Sequence, residues 1–261
     1  MLGLNGNEGD GRTREPWPGK AAAPDGNALI RALPADDREA VLVASAVFEF
    51  DPGHLFCEAG DEVCDVIFPE RGVISAVAVM EDGRTVETHM IGREGVTHPI
   101  APDAVSRCHS RLVAQTAGAG RRLDAGRLRA LMDERPALRD IMASYALRLM
   151  AELEQSSGCN ALHRSDQRFA KWLLRCHDRI DGDEMRLTQE ALASMLGSQR
   201  STVNEAAQYL QRAGAIRYSR GRVIVLDRTA LEKAACECYR VHASSLDDRV
   251  IHPRLSSAGG A

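Results

Sequence analysis

The chain has 261 residues, of which 44% are hydrophobic and 27% charged, and its formal net charge is −4. This composition is that of a globular protein, the length suggests two domains, and no stretch reaches the roughly 18 uninterrupted apolar residues that a membrane span needs. Seven cysteines at irregular spacing do not resemble the disulfide framework of a small secreted domain, so we expect reduced thiols and a cytoplasmic location.

The first third of the chain changes from a tail to a β-rich domain. The segment 1–27 is rich in Gly and Pro and lacks the apolar core of a secretory signal, which predicts a disordered tail. Apolar residues then recur at helical spacing, with Pro34 at a helix start. From 47 to 123, short β-branched runs alternate with turn sequences such as DPG, EDG and IGREG. This pattern predicts a β-barrel or β-roll within a domain of residues 28–132.

The helical period returns after Asp124, and its longest segment runs from about Arg135 to Ser157. A single apolar stripe along this segment predicts a two-stranded dimer seam, with packing on the chain's own barrel as the alternative. We assign residues 133–158 to this dimerisation helix and expect it to end in a hinge at Gly158. The stripe consists of Leu138, Met142, Tyr145, Leu149 and Leu153.

The segment from Leu187 to Gly214 predicts two short helices joined by a turn at Gly197. Two strands follow, and arginines crowd the turn between them. From 160 to 226 the chain carries eleven Lys and Arg residues against seven Asp and Glu residues, a balance that suits a nucleic-acid surface. We therefore predict a winged helix-turn-helix domain over residues 159–240, followed by a flexible tail over 241–261.

Polar side chains near the start of the second helix are expected to reach base edges in a major groove, and the wing arginines to contact phosphates. An ordinary pair of antiparallel helices with a solvated face is the alternative, which the arginine-rich wing makes the weaker one. The predicted DNA-binding residues are Thr188, Gln189, Ser198, Gln199, Arg200, Ser201, Thr202, Asn204, Glu205, Gln208, Arg217, Arg220 and Arg222.

The order of β-roll, long helix and winged helix-turn-helix resembles the Crp/Fnr family of transcription regulators. The resemblance covers residues 48–231 and is carried by Phe50–Gly60 (FDPGHLFCEAG), Val66–Ile74 (VIFPERGVI), Ile91–Gly95 (IGREG) and Leu187–Leu226. It implies an α+β fold whose N-terminal domain is a cupin-like double-stranded β-helix acting as a sensor. It also implies a homodimer that binds a palindromic operator in double-stranded DNA and contacts RNA polymerase, as an activator or a repressor.

The resemblance places Arg200 at the family's base-reading arginine. Members that recognise a TGTGA-like half-site also have a glutamate and a second arginine on this helix, where this chain has Ser201 and Glu205. We therefore expect the chain to prefer a different half-site.

Family members that bind cyclic nucleotides hold the phosphate with a Gly-Glu pair and an Arg-Ser or Arg-Thr pair. Neither pair is intact in this chain, so the arginines are expected to have a structural or surface role rather than to bind phosphate. A cyclic-nucleotide-responsive or redox-responsive regulator stays open as an alternative, as does a chain without a small-molecule effector. The candidate effector pocket comprises Gly92, Arg93, Glu94, Gly95, Arg107 and Arg111.

The cysteines predict neither a metal site nor a cofactor. Residues 1–56 contain no cysteine, which argues against the N-terminal iron–sulfur cluster of some family members. Cys57 and Cys64 lie across a predicted turn, close enough for a redox role, although small apolar packing is the more common role of free thiols. Cys236 and Cys238, with His242 nearby, lack the second ligand pair of a structural zinc site, so we expect incidental thiols on a helix surface.

A cupin-like metal-binding protein or enzyme is the alternative from another class of function. Such sites need grouped histidines, whereas His54, His89, His98 and His109 are scattered and form no His-x-His pair. The chain also lacks a Gly-x-Ser-x-Gly nucleophile motif and a phosphate loop. We therefore expect no enzymatic activity.

Overall fold

The computed structural model describes residues 26–99, 106–187, 189–219 and 221–240. The chain begins with helices α1 (Ala28–Arg31) and α2 (Ala35–Ala44), and Pro34 is the N-cap of α2, as predicted. Asn27 is buried: its side-chain oxygen accepts hydrogen bonds from the first turn of α1, and its amide donates to two carbonyl groups of the β-rich domain. Asn27 therefore belongs to the folded domain, whereas residues 1–25 and 241–261 of the two predicted tails lie outside the described residues.

In the described residues, seven strands form the β-roll that the sequence predicts. They are β1 (Ala46–Phe50), β2 (Leu55–Cys57), β3 (Asp65–Arg71), β4 (Ile74–Val79), β5 (Thr85–Ile91), β6 (Arg111–Ala114) and β7 (Gly118–Asp124). They pair antiparallel in two sheets, one in the order β1-β7-β3 and the other in the order β2-β6-β4-β5. Apolar side chains from both sheets, including Phe50, Ile74 and Leu112, meet in one buried cluster. A turn at Gly83, with φ of +80°, joins β4 to β5 where the sequence predicts a hairpin.

Helices α3 (Ala125–Glu134) and α4 (Pro136–Leu162) follow the β-roll. Leu153, the last residue of the stripe predicted for the dimer seam, is 38% exposed, whereas Leu138, Met142 and Tyr145 are buried in the chain's own core. They pack there with α1 and with residues of β3 and β7, and Leu149 packs against the same cluster. These residues of α4 therefore pack on the chain's own β-roll, which is the alternative that the sequence left open.

The predicted end of the long helix at Gly158 is wrong. Helix α4 continues to Leu162, and Gly158 is exposed within it. A glycine inside a helix costs only about 1 kcal/mol relative to alanine. The next residue, Cys159, is completely buried, and its packing holds the helical turn in place beyond Gly158. The change of direction comes instead between Leu162 and Ser165.

In the part of the C-terminal domain that the structure describes, four helices combine with a three-stranded sheet. Its elements are α5 (Ser165–His177), β8 (Glu184–Arg186), α6 (Gln189–Leu196), α7 (Arg200–Arg212), β9 (Ile216–Ser219), β10 (Arg222–Val225) and α8 (Arg228–Ala234). The sheet order is β8-β10-β9, so the predicted two-stranded wing has a third strand that the sequence pattern did not indicate. Among the described residues, no helix has the length and apolar character that crossing a membrane requires.

The two domains share a direct contact that we call the interdomain contact. Its polar members include Glu87 and Glu94 of the β-roll domain and Trp172 and Arg179 of the C-terminal domain. The Trp172 Nε1 donates to Glu87 Oε1 at 2.8 Å, and the Arg179 guanidinium donates to Glu94 Oε1 at 2.7 and 2.9 Å. The apolar core of the C-terminal domain also includes Val73 and Met90 of the β-roll. The position of the C-terminal domain therefore depends on the β-roll itself, in addition to the covalent link through α4.

Candidate nucleic-acid interface

The turn between α6 and α7 has the conformation that the sequence predicts. Gly197 has φ of +56°, a region that favours glycine. Its N–H donates to the Ser194 carbonyl at 3.1 Å, and the Ser198 N–H donates to the Ala193 carbonyl at 3.0 Å. Arg168 of α5 donates to the Leu196 carbonyl at 2.7 Å, which ties the end of α6 to the domain core. The start of α7 is therefore held in one orientation.

Helix α7 has one buried apolar face and one exposed polar face. Val203, Ala206, Ala207 and Leu210 are all buried in the domain core, which agrees with the predicted inward face. On the outer side the exposed residues are Gln199, Arg200, Ser201, Glu205 and Gln208, and Thr202 and Asn204 are half-buried. Gln199 is the N-cap of α7 rather than a residue of its first turn. Donors and acceptors for base edges therefore cluster at the N-terminal half of α7, the end that enters a major groove in helix-turn-helix proteins.

The wing presents two of its arginines on one side. Ser219 lies opposite Arg222 and Ile224 lies opposite Arg217 in the β9–β10 pairing, so both arginines project from the same face. Both are exposed, and Arg222 lies 3.6 Å from the Glu184 carboxylate. An exposed ion pair of this kind contributes little and gives way readily to phosphate. The face is therefore suited to backbone phosphates.

The four other predicted DNA-binding residues are Thr188, Gln189, Ser198 and Arg220. Thr188 and Arg220 lie outside the described residues, and Gln189 is the first residue of α6. The Ser198 hydroxyl donates to the Leu196 carbonyl at 3.2 Å and so takes part in the turn.

Sequence reasoning missed two residues that position this surface. The Gln211 side-chain oxygen accepts from the Tyr218 N–H at 2.9 Å and joins the end of α7 to the wing. Arg168 performs the corresponding task at the end of α6. Neither residue stands in a recognisable motif, because each contacts a backbone group of another element, 28 residues away for Arg168 and seven residues away for Gln211.

The structure places the candidate effector residues in different surroundings. Glu94 is paired with Arg179, and a side chain at Gly95 would collide with Tyr145. Arg107 donates to the Gly60 carbonyl, and Arg111 pairs with Glu58, both near the surface. The β-roll does contain a cavity of about 380 Å³, but Gly92, Arg93, Glu94, Gly95, Arg107 and Arg111 do not line it.

That cavity is lined by other residues, including Phe48, Phe56, Cys57, Thr97, His98 and Cys108. The His98 Nε2 lies 3.8 Å from the Cys57 Sγ and 3.4 Å from the Cys108 Sγ. Burial raises the pKa of both thiols and lowers the pKa of His98 to about 4, so all three groups are neutral. Cys57 therefore contacts Cys108 and His98, a partnership that its spacing from Cys64 did not predict.

The structure bears on two further predictions, one about the location of Cys236 and Cys238 and one about the grouping of histidines. Cys236 and Cys238 are buried, so the prediction that they lie on a helix surface is wrong, while His242 lies outside the described residues. In the described part of the chain, each group of potential metal ligands contains a single histidine. The grouped histidines of a cupin metal site are thus not found there.

A β-roll is joined through a long helix to a winged helix-turn-helix domain, in which the polar face of α7 is exposed. A family model, the Crp-like helix-turn-helix domain, matches residues 167–234. No curated protein matches the chain.

Solved structures resemble the chain over most of its length. FixK2 from Bradyrhizobium japonicum is 14% identical with a TM-score of 0.62, covering 74% of this chain and 98% of that one. TTHB099, a CRP-family regulator from Thermus thermophilus, is 22% identical with a TM-score of 0.60, covering 72% and 96%. CLP from Xanthomonas campestris, a c-di-GMP responsive global regulator, is 16% identical with a TM-score of 0.59, covering 74% and 100%. The chain thus has the fold of Crp/Fnr-type transcription regulators with a Crp-like helix-turn-helix domain, and the resemblance seen in the sequence is confirmed.

Proposed function

We propose that this chain regulates transcription by binding a palindromic site in double-stranded DNA as a homodimer, without catalytic activity. The observation that carries the proposal is the orientation of α7, whose apolar face is buried while its polar N-terminal half is exposed. A helix held in this way presents donors and acceptors to base edges, and two-fold symmetry places two such helices about one turn of DNA apart.

The proposed contacts divide into two kinds. Arg200 reads a guanine through its two parallel N–H donors, and Ser201, Asn204 and Gln208 extend this readout along the groove. Arg217 and Arg222 contact phosphates from the wing and contribute affinity that does not depend on base sequence. Glu205 stands where members that bind TGTGA-like half-sites have a second arginine, and a carboxylate cannot donate to guanine, which favours a different half-site.

The proposed dimer interface uses the exposed face of α4. Leu147 is 67% exposed and Met150 58% exposed. At 3.6 residues per turn, Leu147 lies about 160° around the helix from the buried Tyr145. Two large apolar side chains that face away from the protomer core, at the three-residue spacing of a helix-pairing seam, fit a second copy of α4. This face replaces the buried stripe as the proposed seam, with Leu153 at its edge.

The proposed control of DNA binding passes through the interdomain contact. Thr97 and His98 line the β-roll cavity, and they follow Glu94 by only three and four residues. A molecule bound in the cavity would therefore act close to the loop that holds Arg179. Any such effector must bind the DNA-competent and the incompetent arrangement unequally. A small-molecule effector and contact with RNA polymerase stay predictions drawn from the family resemblance.

A selection from random duplex DNA, followed by binding measurements on the selected site, tests this function. We expect Arg200→Ala to weaken binding by about 1–3 kcal/mol and to relax base preference at one position of each half-site. Arg222→Ala should weaken binding equally for all sequences and reduce the dependence on salt by about one phosphate contact.

Arg212→Ala is the matched control, because Arg212 is an exposed arginine at the opposite end of the same helix. It should leave base preference unchanged. Failure of the full chain to bind any duplex at low salt, or an unaltered base preference in Arg200→Ala, would refute the proposal.

A further inference from the structure

Three buried cysteines and one histidine meet where the end of α4 touches the segment that follows α8. Cys159 and His163 come from the last turn of α4 and its C-cap, and Cys236 and Cys238 come from the C-terminal segment. The four potential ligand atoms all lie within 4.8 Å of one another. The sequence showed the pair Cys236 and Cys238, and folding supplies the second ligand pair, which lies far away in the chain.

The distances in this cluster match those around a tetrahedral zinc ion. With Zn–S bonds of about 2.3 Å and Zn–N bonds of about 2.0 Å, a regular tetrahedron separates two sulfurs by about 3.8 Å and a sulfur from a nitrogen by about 3.5 Å. The Cys159 Sγ lies 3.6 Å from the Cys236 Sγ, and the Cys238 Sγ lies 3.6 Å from the His163 Nδ1. An iron–sulfur cluster holds several iron atoms among its thiolates and needs them farther apart. We propose that Cys159, His163, Cys236 and Cys238 bind one Zn²⁺ ion per protomer.

The surroundings of the four residues support a metal site. The other ring nitrogen of His163, Nε2, lies 3.1 Å from the Glu237 carboxylate, which is the usual partner of a zinc-bound histidine. Gln155 donates a hydrogen bond to the Cys238 Sγ at 3.1 Å. The buried Lys171 Nζ donates to the Cys159 Sγ at 3.2 Å. Three thiolates and one Zn²⁺ carry a net charge of −1, which the Lys171 ammonium balances.

Four protein ligands and three buried sulfurs make this a closed site of the structural kind, without a position for substrate. The ion would join the end of α4 to the C-terminal segment beyond the DNA-binding helices. It would thus stiffen the junction between α4 and the C-terminal domain, next to the position where the sequence predicted a hinge. The proposal does not rest on DNA binding, because metal content and DNA affinity are measured separately.

The full-length protein, purified under reducing conditions without chelators, tests the site. We expect one zinc per protomer by elemental analysis. Cys159→Ser and Cys236→Ser should each lose it, whereas Cys108→Ser and Cys176→Ser should retain it. Cys176→Ser controls for loss of a buried thiol in the same domain, and Cys108→Ser controls for the second thiol group in the β-roll cavity. The proposal would be overturned if the wild-type protein bound no zinc after incubation with it, or if Cys236→Ser kept its full zinc content.

Measurements on the wild-type chain keep the test valid if the variants fail to fold. Cobalt added to chelator-treated protein should give the intense absorption of tetrahedral thiolate-bound Co²⁺, and zinc should abolish it by displacement. Chelation should lower Tm, and added zinc should restore it. A Cys159–Cys236 disulfide that persists in protein freshly purified under reducing conditions, seen as a mass lower by two hydrogen atoms, would refute zinc ligation.

Discussion

At the scale of single residues, Glu87 shows how one side chain connects the two domains. It belongs to β5, and its carboxylate accepts from the Ser75 hydroxyl at 2.6 Å and from Trp172 Nε1 at 2.8 Å. Burial raises its pKa from 4.5 to about 7, against the opposing effects of these hydrogen bonds and of the nearby Arg175. Glu87 is therefore protonated in the folded chain at pH values where it is ionised in the unfolded one.

Because the folded-state pKa of Glu87 is raised, its contribution to stability is complete below about pH 4.5 and is lost as the pH rises through about 7. One pKa unit corresponds to about 1.4 kcal/mol, which limits the loss to about 3 kcal/mol. We expect Glu87→Gln to remove this loss, so that the variant gains stability relative to the wild type between pH 5 and pH 8. Urea unfolding at several pH values measures the difference.

The control for this experiment is Glu81→Gln, which changes an exposed glutamate in the β4–β5 turn. His89, whose pKa burial lowers to about 4, gives the opposite trend below its ordinary pKa of 6.5, and comparison with the wild type cancels that contribution. Parallel pH profiles for wild type and Glu87→Gln would contradict the prediction.

At the scale of elements, α4 carries two apolar faces that serve different purposes. Leu138, Met142 and Tyr145 complete the β-roll core, while Leu147 and Met150 remain exposed. A spacing of three and four residues marks an apolar face of a helix but does not say what covers it. The predicted seam was the stripe that begins at Leu138, and the structure shows that its residues up to Leu149 pack within the protomer.

Charged substitutions on the two apolar faces of α4 should have different effects. We expect Leu147→Glu combined with Met150→Glu to raise the dimer dissociation constant at least 100-fold, since burial of each side chain contributes about 1.5–3 kcal/mol. Light scattering coupled to size-exclusion chromatography would show a monomer with a wild-type circular dichroism spectrum. Leu149→Glu should instead lower the stability of the protomer, because Leu149 packs on the β-roll cluster.

Val43→Glu is the control for the dimer variant, because Val43 is 80% exposed and lies on α2, away from the proposed seam. It should leave the dimer intact. A dimer that persists in the Leu147 and Met150 double variant would show that α4 does not pair through this face.

At the scale of the whole molecule, the buried ion pair between Glu94 and Arg179 holds the two domains together. Both side chains are at most 10% exposed, and Arg179 also donates to the Arg175 carbonyl. The nearby charge of Glu94 raises the pKa of Arg179 in spite of burial, which by itself lowers it. Removing one partner of a buried pair leaves the other charge uncompensated, at a cost of about 3–5 kcal/mol.

We therefore expect Arg179→Met to weaken the interdomain contact, so that calorimetry resolves two unfolding transitions where the wild type shows one. Adding Glu94→Gln should largely restore the single transition, because the unpaired charge is removed and the amide oxygen still accepts from the Gly92 N–H. Arg186→Met, at an exposed position of β8, should behave as the wild type. One transition at the wild-type Tm in Arg179→Met would show that the pair does not hold the domains.

The features predicted correctly from the sequence are those that neighbouring residues decide. Pro34 at a helix start, the hairpin at Gly83 and the turn at Gly197 each depend on local backbone preferences. The inward face of α7 follows from apolar residues one turn apart, and the order of strands and helices implied the Crp/Fnr fold. Local pattern thus determined the type and order of most elements and the exposed recognition helix.

Only the tertiary structure decided which residues meet across long distances in the chain. Cys159 lies 77 residues from Cys236, and Glu94 lies 85 residues from Arg179. Packing also decided which face of α4 is covered, and burial of Cys159 keeps the chain helical beyond Gly158. Periodicity shows that a side chain needs burial or a partner, but the partner is chosen by the way the whole chain packs, which no short segment of sequence contains.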